Sequence, residues 1–409
     1  MIKRFSALVL ALVIAAGAMC SCSKKVNKKD SSSKDESTAA SSEAADPNEE
    51  TAPEVPDAKL VIDGKEMDTD GLVMCTIDGR DVDFDTFRYY YYYTVNQLTQ
   101  SYGATIDSIR ETEGGFDSLL ENTITNIKQE FVTYHICDEN GVTLSDEEIK
   151  ANEDTYNNSV EQMGSDEEFQ KTLKSAYLTG DVYKQMLELA ALYSKCESEL
   201  FTNEGVYATS KDEFRKIVKD PEKYACVRSI LIPYSCKTDI PDSEAADYDA
   251  KSLSEKYSAK QMAYAGLDDD AKEAAKKEAK KVADEVIEKA KNGDDFEKLI
   301  EEYNWDPGQE SMPDGYYITP ASSYVKEYLD AAFKLEEGQV STELVENDSY
   351  GWFVIKRMPI DMEYVEANID TMIQDYDLPS REKLYTDIMD SMEVTYADFY
   401  DKLTIDSIT

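Results

Sequence analysis

Side chains able to do acid–base, nucleophilic or metal chemistry are sparse in this sequence, and that sparseness excludes whole classes of function. His135 is the single histidine in the chain. Ser-His-Asp triads, Cys-His dyads and His-rich metal centres need a positioned imidazole, and His135 sits inside a helical pattern where an ordinary structural role is expected. Of the seven cysteines, Cys75, Cys137, Cys196, Cys226 and Cys236 lie in the body with no CxxC spacing, which leaves zinc and thioredoxin-like chemistry unsupported. Five is odd, so at least one of these thiols stays unpaired unless it links to another chain, and buried structural thiols are expected. Glu66, Asp68, Asp70 and Gly71 look like the start of a calcium loop, but the twelfth position is Ile77 rather than Glu. No metal or cofactor is expected. Tyr89 to Tyr93 follow one another, and on a helix five successive rings point all round, so some are buried and some offer aromatic surface.

Charge and the N-terminus add a location. Acidic residues outnumber basic ones 85 to 43, for a formal charge of −42, and such a surface repels phosphate backbones, excluding nucleic acid as a partner. Lys3 and Arg4 precede an apolar run from Phe5 to Ala18 that is too short to span a bilayer stably, so residues 1–22 read as an export signal. Met19-Cys20-Ser21-Cys22 resembles a bacterial lipobox, with Cys22 as the lipidated residue and Cys20, preceded by the large Met19, as the alternative. Residues 23–70 read as a disordered tether, since 23 to about 58 hold almost no large apolar side chains. Lys24, Lys25, Lys28, Lys29 and Lys34 follow the lipid site, where they either face anionic headgroups or solubilise the linker.

The elements that position the rest are mostly helical. An apolar run from Leu72 to Ile77, the turn dipeptide Asp78-Gly79 and Val82-Asp83-Phe84 predict a short strand pair entering a helix capped at Asp83 or Asp85. Helices are expected over 116–137, 145–163, 165–178 and 181–201, the second and third opened by the capping boxes Ser145 to Glu148 and Ser165 to Glu168. After Asp220-Pro221 the pattern changes. Residues 225–232 read as a strand, 233–270 as an acidic stretch with weak apolar pattern, 271–291 and 325–333 as helices, and 352–355 as a closing strand, with further helices from Tyr364 to Leu403.

Five blocks in this second part resemble the parvulin-type peptidyl-prolyl isomerase family: Tyr224 to Ile232 (YACVRSILI), Asn292 to Tyr303 (NGDDFEKLIEEY), Asp306-Pro307-Gly308, Ala331 to Ser341 (AAFKLEEGQVS) and Tyr350 to Lys356 (YGWFVIK). Upstream, Val73 to Gly79 (VMCTIDG) and Val142 to Ile149 (VTLSDEEI) are similar to the helical module of SurA-like chaperones and membrane-anchored foldases. The resemblance implies an α+β chain: a mostly helical SurA-like module over 71–220, an inserted parvulin-like α+β domain over 221–360, and C-terminal helices over 361–409 returning to the helical module.

It also implies a site. Isomerisation of an X-Pro bond needs an apolar grip on the proline ring and a dry polar environment at the twisting amide, with no covalent intermediate. By resemblance, Tyr324 and Tyr328 stand at the proline-gripping positions with Phe333 packed behind them, and Asp306 stands beside the amide. The two positions where the family places histidines on adjacent strands hold Ser229 and Phe353, so Ser229 keeps only a hydroxyl and Phe353 only a ring. Pro313-Asp314-Gly315-Tyr316 replaces an expected Gly-Asp-Leu-Gly segment. The implied function is a lipid-anchored, extracytoplasmic foldase on the bacterial cell membrane, acting on unfolded or partly folded exported polypeptides, with isomerase activity weak or lost. An active isomerase using Asp306, Ser229, Tyr324 and Tyr328 is the alternative reading, and a solute-binding lipoprotein a remote third.

Overall fold

The computed structural model describes residues 55–202, 205–241 and 248–409; the export signal and the candidate lipidation residues Cys20 and Cys22 lie outside them. The described chain is α+β, with long helices and three small antiparallel sheets. It forms two compact units, one holding the described residues up to Phe201 together with Ser380–Thr409, the other Thr202–Pro379.

In the first unit, β1 (Leu60–Ile62) and β2 (Lys65–Met67) make a hairpin whose turn residues Asp63 and Gly64 both adopt positive φ. This hairpin falls within the 23–70 stretch expected as tether; Leu60 and Ile62 alternate into the core, and Leu60 bridges Ile408. β3 (Val73–Ile77) and β4 (Arg80–Asp83) pair around Asp78-Gly79, again with two positive φ values, the geometry that matches the twist of a two-residue hairpin. Asp83 rather than Asp85 caps α1 (Phe84–Tyr102), its carboxylate accepting the Thr86 N–H at 2.8 Å. Within α1, Tyr89, Tyr90 and Tyr91 are buried, while Tyr92 is half-buried and stacks on Tyr177 at 3.7 Å.

Five more helices follow: α2 (Ile106–Glu111), α3 (Gly115–Asn140), α4 (Asp146–Met163), α5 (Asp166–Ser175) and α6 (Gly180–Leu200). The box at Ser145 is reciprocal, whereas the Ser165 cap is a single bond from the Glu168 N–H to its hydroxyl. His135 lies on α3 with Nδ1 2.7 Å from the Asp78 carboxylate, a structural pairing. All five body cysteines are free and buried. The C-terminal residues, expected as helix throughout, include a strand, Val394–Tyr396, that pairs with β3; its Val-Thr-Tyr sequence suits a pleated surface better than a helix.

The second unit begins with α7 (Lys211–Ile217) and is built on a four-stranded antiparallel sheet. β5 (Ala225–Ile232) is buried along its whole length and runs between two partners. After it come α8 (Leu253–Ala265), α9 (Asp269–Lys291), α10 (Phe296–Tyr303), the single turn α11 (Gly308–Ser311), β6 (Tyr316–Ile318), α12 (Lys326–Lys334), β7 (Val345–Asn347), β8 (Gly351–Met358) and α13 (Met362–Ser391). The strand order is β6-β5-β8-β7. Residues alternate between faces. Ile230, Ile232, Trp352 and Val354 pack on α9 and α10 through Ala283, Val286, Phe296 and Leu299, whereas Val227, Leu231, Phe353 and Ile355 pack on α12 through Tyr328, Leu329 and Ala332. β6 and β7 were not expected, since three residues are too few to show alternation. α13 carries Pro379, which lacks the N–H for a helix bond, and the division between the units falls there. Within the second unit the first half of α13 packs Val365, Ile369, Met372 and Ile373 against Phe214, Ile217 and Tyr224.

Candidate functional site

The α12 face of the sheet gathers the six residues singled out in this unit. Ser229 and Phe353 lie on the adjacent central strands β5 and β8 and share a face, since Ser229 pairs with Ile355 and Leu231 with Phe353. Tyr328, on α12, spans both positions: its hydroxyl donates to Ser229 Oγ at 3.1 Å and its ring meets Phe353 edge-on at 5.2 Å. Tyr324 stacks on Tyr328 at 5.6 Å and is 40% exposed, so the aromatic series runs from core to surface. Tyr350, also exposed, adds a ring 6.3 Å from Phe353.

Ser229 is 1% exposed. Its Oγ also accepts from Gln309 Nε2 at 3.3 Å, and that amide donates to the Ser229 carbonyl as well, while its own oxygen faces the Ser229 N–H at 3.5 Å. The hydroxyl is therefore sealed beneath Tyr328 and Gln309 and cannot touch a ligand. It positions Tyr328. Phe333 packs against the same cluster from the far end of α12; its ring also lies 5.7 Å from the Arg357 guanidinium and lines a separate cavity of about 450 Å³ with Pro221, Tyr224 and Leu335.

Asp306 is half-buried in the loop between α10 and α11. One carboxylate oxygen accepts from the Gly308 N–H at 2.9 Å and the other from the Tyr316 hydroxyl at 2.8 Å. Asn304 ties this loop to the sheet, its side-chain oxygen accepting the N–H groups of Leu231 and Asp306, both at 3.0 Å. Burial, then the Asp306 charge, raises the Tyr316 phenol far above its usual range, so it stays a neutral donor. Tyr316 lies 5.5 Å from Tyr324, which places the fixed carboxylate beside the exposed end of the aromatic series. Burial likewise pushes Tyr324 up to about 12, keeping its hydroxyl protonated.

Chemically, the site offers aromatic faces, one anchored carboxylate and neutral phenols. Among the described residues no cluster of His, Cys, Asp and Glu is arranged to hold a metal. Such an arrangement can hold and orient a ligand, and among the described residues around it no nucleophile has a base beside it. Gln309, Tyr316 and Asn304 were missed from sequence although Tyr316 ends the Pro313–Tyr316 block and Gln309 directly follows Asp306-Pro307-Gly308; amide and phenol side chains in a loop carry no recognisable spacing. Gly308 held a signal, since a side chain there would overlap the Tyr316 hydroxyl.

A second concavity, of about 650 Å³, lies in the first unit between α3, α4 and α6. Tyr134, Leu144, Ile149, Tyr156 and Leu187 form apolar walls, with Arg80, Lys184 and Glu188 among the charged residues around it. Among the described residues no helix is long and apolar enough to cross a membrane.

Residues 247–358 match the family model described as the PPIC-type PPIase domain. β5, which supplies Ser229, lies upstream of the matched stretch. Foldase protein PrsA of Geobacillus sp. (strain WCH70) is 44% identical over 79 residues, 19% of this chain and 27% of that one. Foldase protein PrsA of Staphylococcus aureus (strain Newman) is 26% identical over 265 residues, 62% of this chain and 68% of that one. Alignments to the first three curated relatives take in only 26% to 46% of their length. The crystal structure of the peptidylprolyl isomerase PrsA from Bacillus cereus superposes with a TM-score of 0.33 at 19% identity, covering 81% of this chain and 97% of that one. Over residues 247–358 the chain is similar to the PPIC-type domain of the parvulin-type peptidyl-prolyl isomerases.

Proposed function

We propose that this chain is a lipid-anchored extracytoplasmic foldase that holds proline-containing segments of unfolded or partly folded exported polypeptides and isomerises them slowly or not at all. One observation carries the reading. Where the family resemblance implies two histidines, Tyr328, Ser229 and Gln309 form a buried hydrogen-bonded set that fixes Tyr328 against the buried Phe353, leaving the exposed Tyr324 and the half-buried, anchored Asp306 accessible. A proline ring gains from aromatic burial whether or not its amide is twisted, and uniform binding of this kind raises affinity without raising the rate. The named foldase relatives support the assignment to exported clients, and the lipobox at Cys22, with Cys20 as the alternative, supports the anchor. The apolar-walled groove of the helical unit supplies a further surface for an extended client.

The second reading, an active isomerase, draws on Asp306: a carboxylate fixed by Tyr316 and Gly308 is more ordered than holding requires. Titration of a proline-containing peptide into the labelled chain tests the proposal. Shifts at Tyr324 and Phe353 that vanish in Tyr324→Ala, whose exposed ring can be removed without opening the core, are the expected result. Undisturbed spectra at saturating peptide would remove the proline site.

A further inference from the structure

The segment joining β5 to α9 is long, and its helix α8 is built against the site. A reciprocal capping box at Ser252 and Glu255 starts it. Lys256 Nζ donates to the Asp249 carbonyl at 2.9 Å and Lys260 to that of Thr238, tying the helix to the chain before it. Tyr264 packs on the α9 side of the sheet, 6.5 Å from Tyr234, whereas Tyr257 packs on the opposite cluster, the one that contains Tyr316, Tyr328 and Phe353. One helix thus contributes a ring to each side of the sheet. Its Gln261 amide donates to the Tyr257 hydroxyl at 2.8 Å and fixes that ring's outer end.

We propose that Tyr257 is a specificity-determining residue of the proline site, and that with Tyr324, Tyr350 and Asp306 it forms a subsite for a cationic side chain, arginine or lysine, next to the proline. This inference rests on the proline-binding reading of the same site. Tyr324 and Tyr350 are exposed and Tyr257 is half-buried, so three phenol rings present accessible surface. Tyr257 packs on the cluster that holds Phe353 and Tyr316; Tyr350 lies 6.3 Å from Phe353, and Tyr324 lies 5.5 Å from Tyr316, whose hydroxyl donates to Asp306. Aromatic faces and a carboxylate attract the same partner, a cation, and an acidic neighbour of proline is repelled. The lysine on the exposed start of α12, Lys326, is paired with Asp330 at 2.5 Å and leaves the negative field in place.

The test is NMR titration of the whole chain with blocked tetrapeptides that differ only in the residue before proline: Arg, Leu or Glu. The Arg-Pro peptide is expected to bind about fivefold more tightly than Leu-Pro, a ratio set by one cation–π contact near the surface, with Glu-Pro weakest. Tyr257→Leu keeps an apolar side chain against the cluster and removes the ring; the Arg-to-Leu ratio should fall toward one while Leu-Pro affinity changes less than about twofold. Tyr257→Phe should retain the preference. An unchanged ratio in a folded Tyr257→Leu chain, or a preference for Glu-Pro, overturns the subsite while leaving proline binding intact. Failure of all three peptides to bind the wild-type chain overturns the proline site itself and the subsite with it.

Discussion

Removing the Ser229 hydroxyl should cost more stability than removing the phenol oxygen that donates to it, and removing both should cost less than the two together. Tyr328 is 3% exposed and Ser229 1% exposed, so neither oxygen can turn to water. In Ser229→Ala the Tyr328 hydroxyl loses its acceptor and stays buried, while Gln309 Nε2 still donates to the residue 229 carbonyl; one orphaned donor costs about 2 kcal/mol. In Tyr328→Phe the Ser229 oxygen keeps Gln309 as a donor, and the loss is about 1 kcal/mol. The double variant leaves no orphaned donor, so it should lose about 1.5 kcal/mol where additivity requires about 3, a coupling within the range for contacting residues. Both tryptophans, Trp305 and Trp352, lie in the second unit. Urea unfolding followed by tryptophan fluorescence therefore reports on the right part of the chain. Additive losses, or a Tyr328→Phe chain weaker than Ser229→Ala, would refute Ser229 as the buried anchor of Tyr328. The double variant should also bind proline peptides as the parent does, because the rings remain.

Three further outcomes follow from other parts of the structure. Glu130 on α3 is 5% exposed and burial raises its carboxyl to about 7, above the ordinary 4.5; the folded state then holds its proton longer than the unfolded one, so stability is undiminished below pH 4.5, falls between 4.5 and about 7, and stays lower above that by about 3 kcal/mol at about 1.4 kcal/mol per pH unit. Glu130→Gln should flatten this slope in a pH series of thermal unfolding, and an equal slope in the variant would show that another group causes it. Gly308→Ala should drive the Tyr316 hydroxyl off Asp306 and cost about 1 to 3 kcal/mol, but less in a Tyr316→Phe background, where the overlap with the hydroxyl is gone and only a 3.1 Å approach to Asp306 Oδ1 remains; equal costs in both backgrounds would contradict the geometry. Cys22→Ser should release the chain from membranes in fractionated cells while Cys20→Ser leaves it bound, and the opposite pattern would move the lipid to Cys20.

Much of the scaffold is written in periodicity and punctuation. Residues 225–232 read as a strand because apolar and β-branched residues flank Arg228 and Ser229 on both sides, a composition that suits a buried strand, and the β3–β4 hairpin followed from Asp78-Gly79. Asp83 and Ser145 were legible as caps because their chemistry is local. The edge strands β6 and β7 and the strand Val394–Tyr396 were not, since three residues acquire strand character only from the partner beside them. At the site, the family resemblance pointed to Asp306, Ser229, Tyr324, Tyr328 and Phe353, and they do gather. Their hierarchy could not be read from order along the chain. Ser229 is an anchor because Gln309, 80 residues away, closes over it, and Phe333 faces Arg357 because a helix turns successive residues to different sides. Tyr257 had no visible link to the site until the inserted helix was seen against the sheet.

NMR exchange spectroscopy of a short X-Pro peptide with the purified chain at substoichiometric concentration separates holding from catalysis most directly. Peptide resonances are expected to shift and broaden on binding at Tyr324, with cis–trans exchange near the slow uncatalysed rate of tens to hundreds of seconds. Strong exchange cross-peaks that disappear in Tyr328→Ala would contradict it, and would make the Tyr328, Ser229 and Asp306 arrangement a working isomerase without histidine.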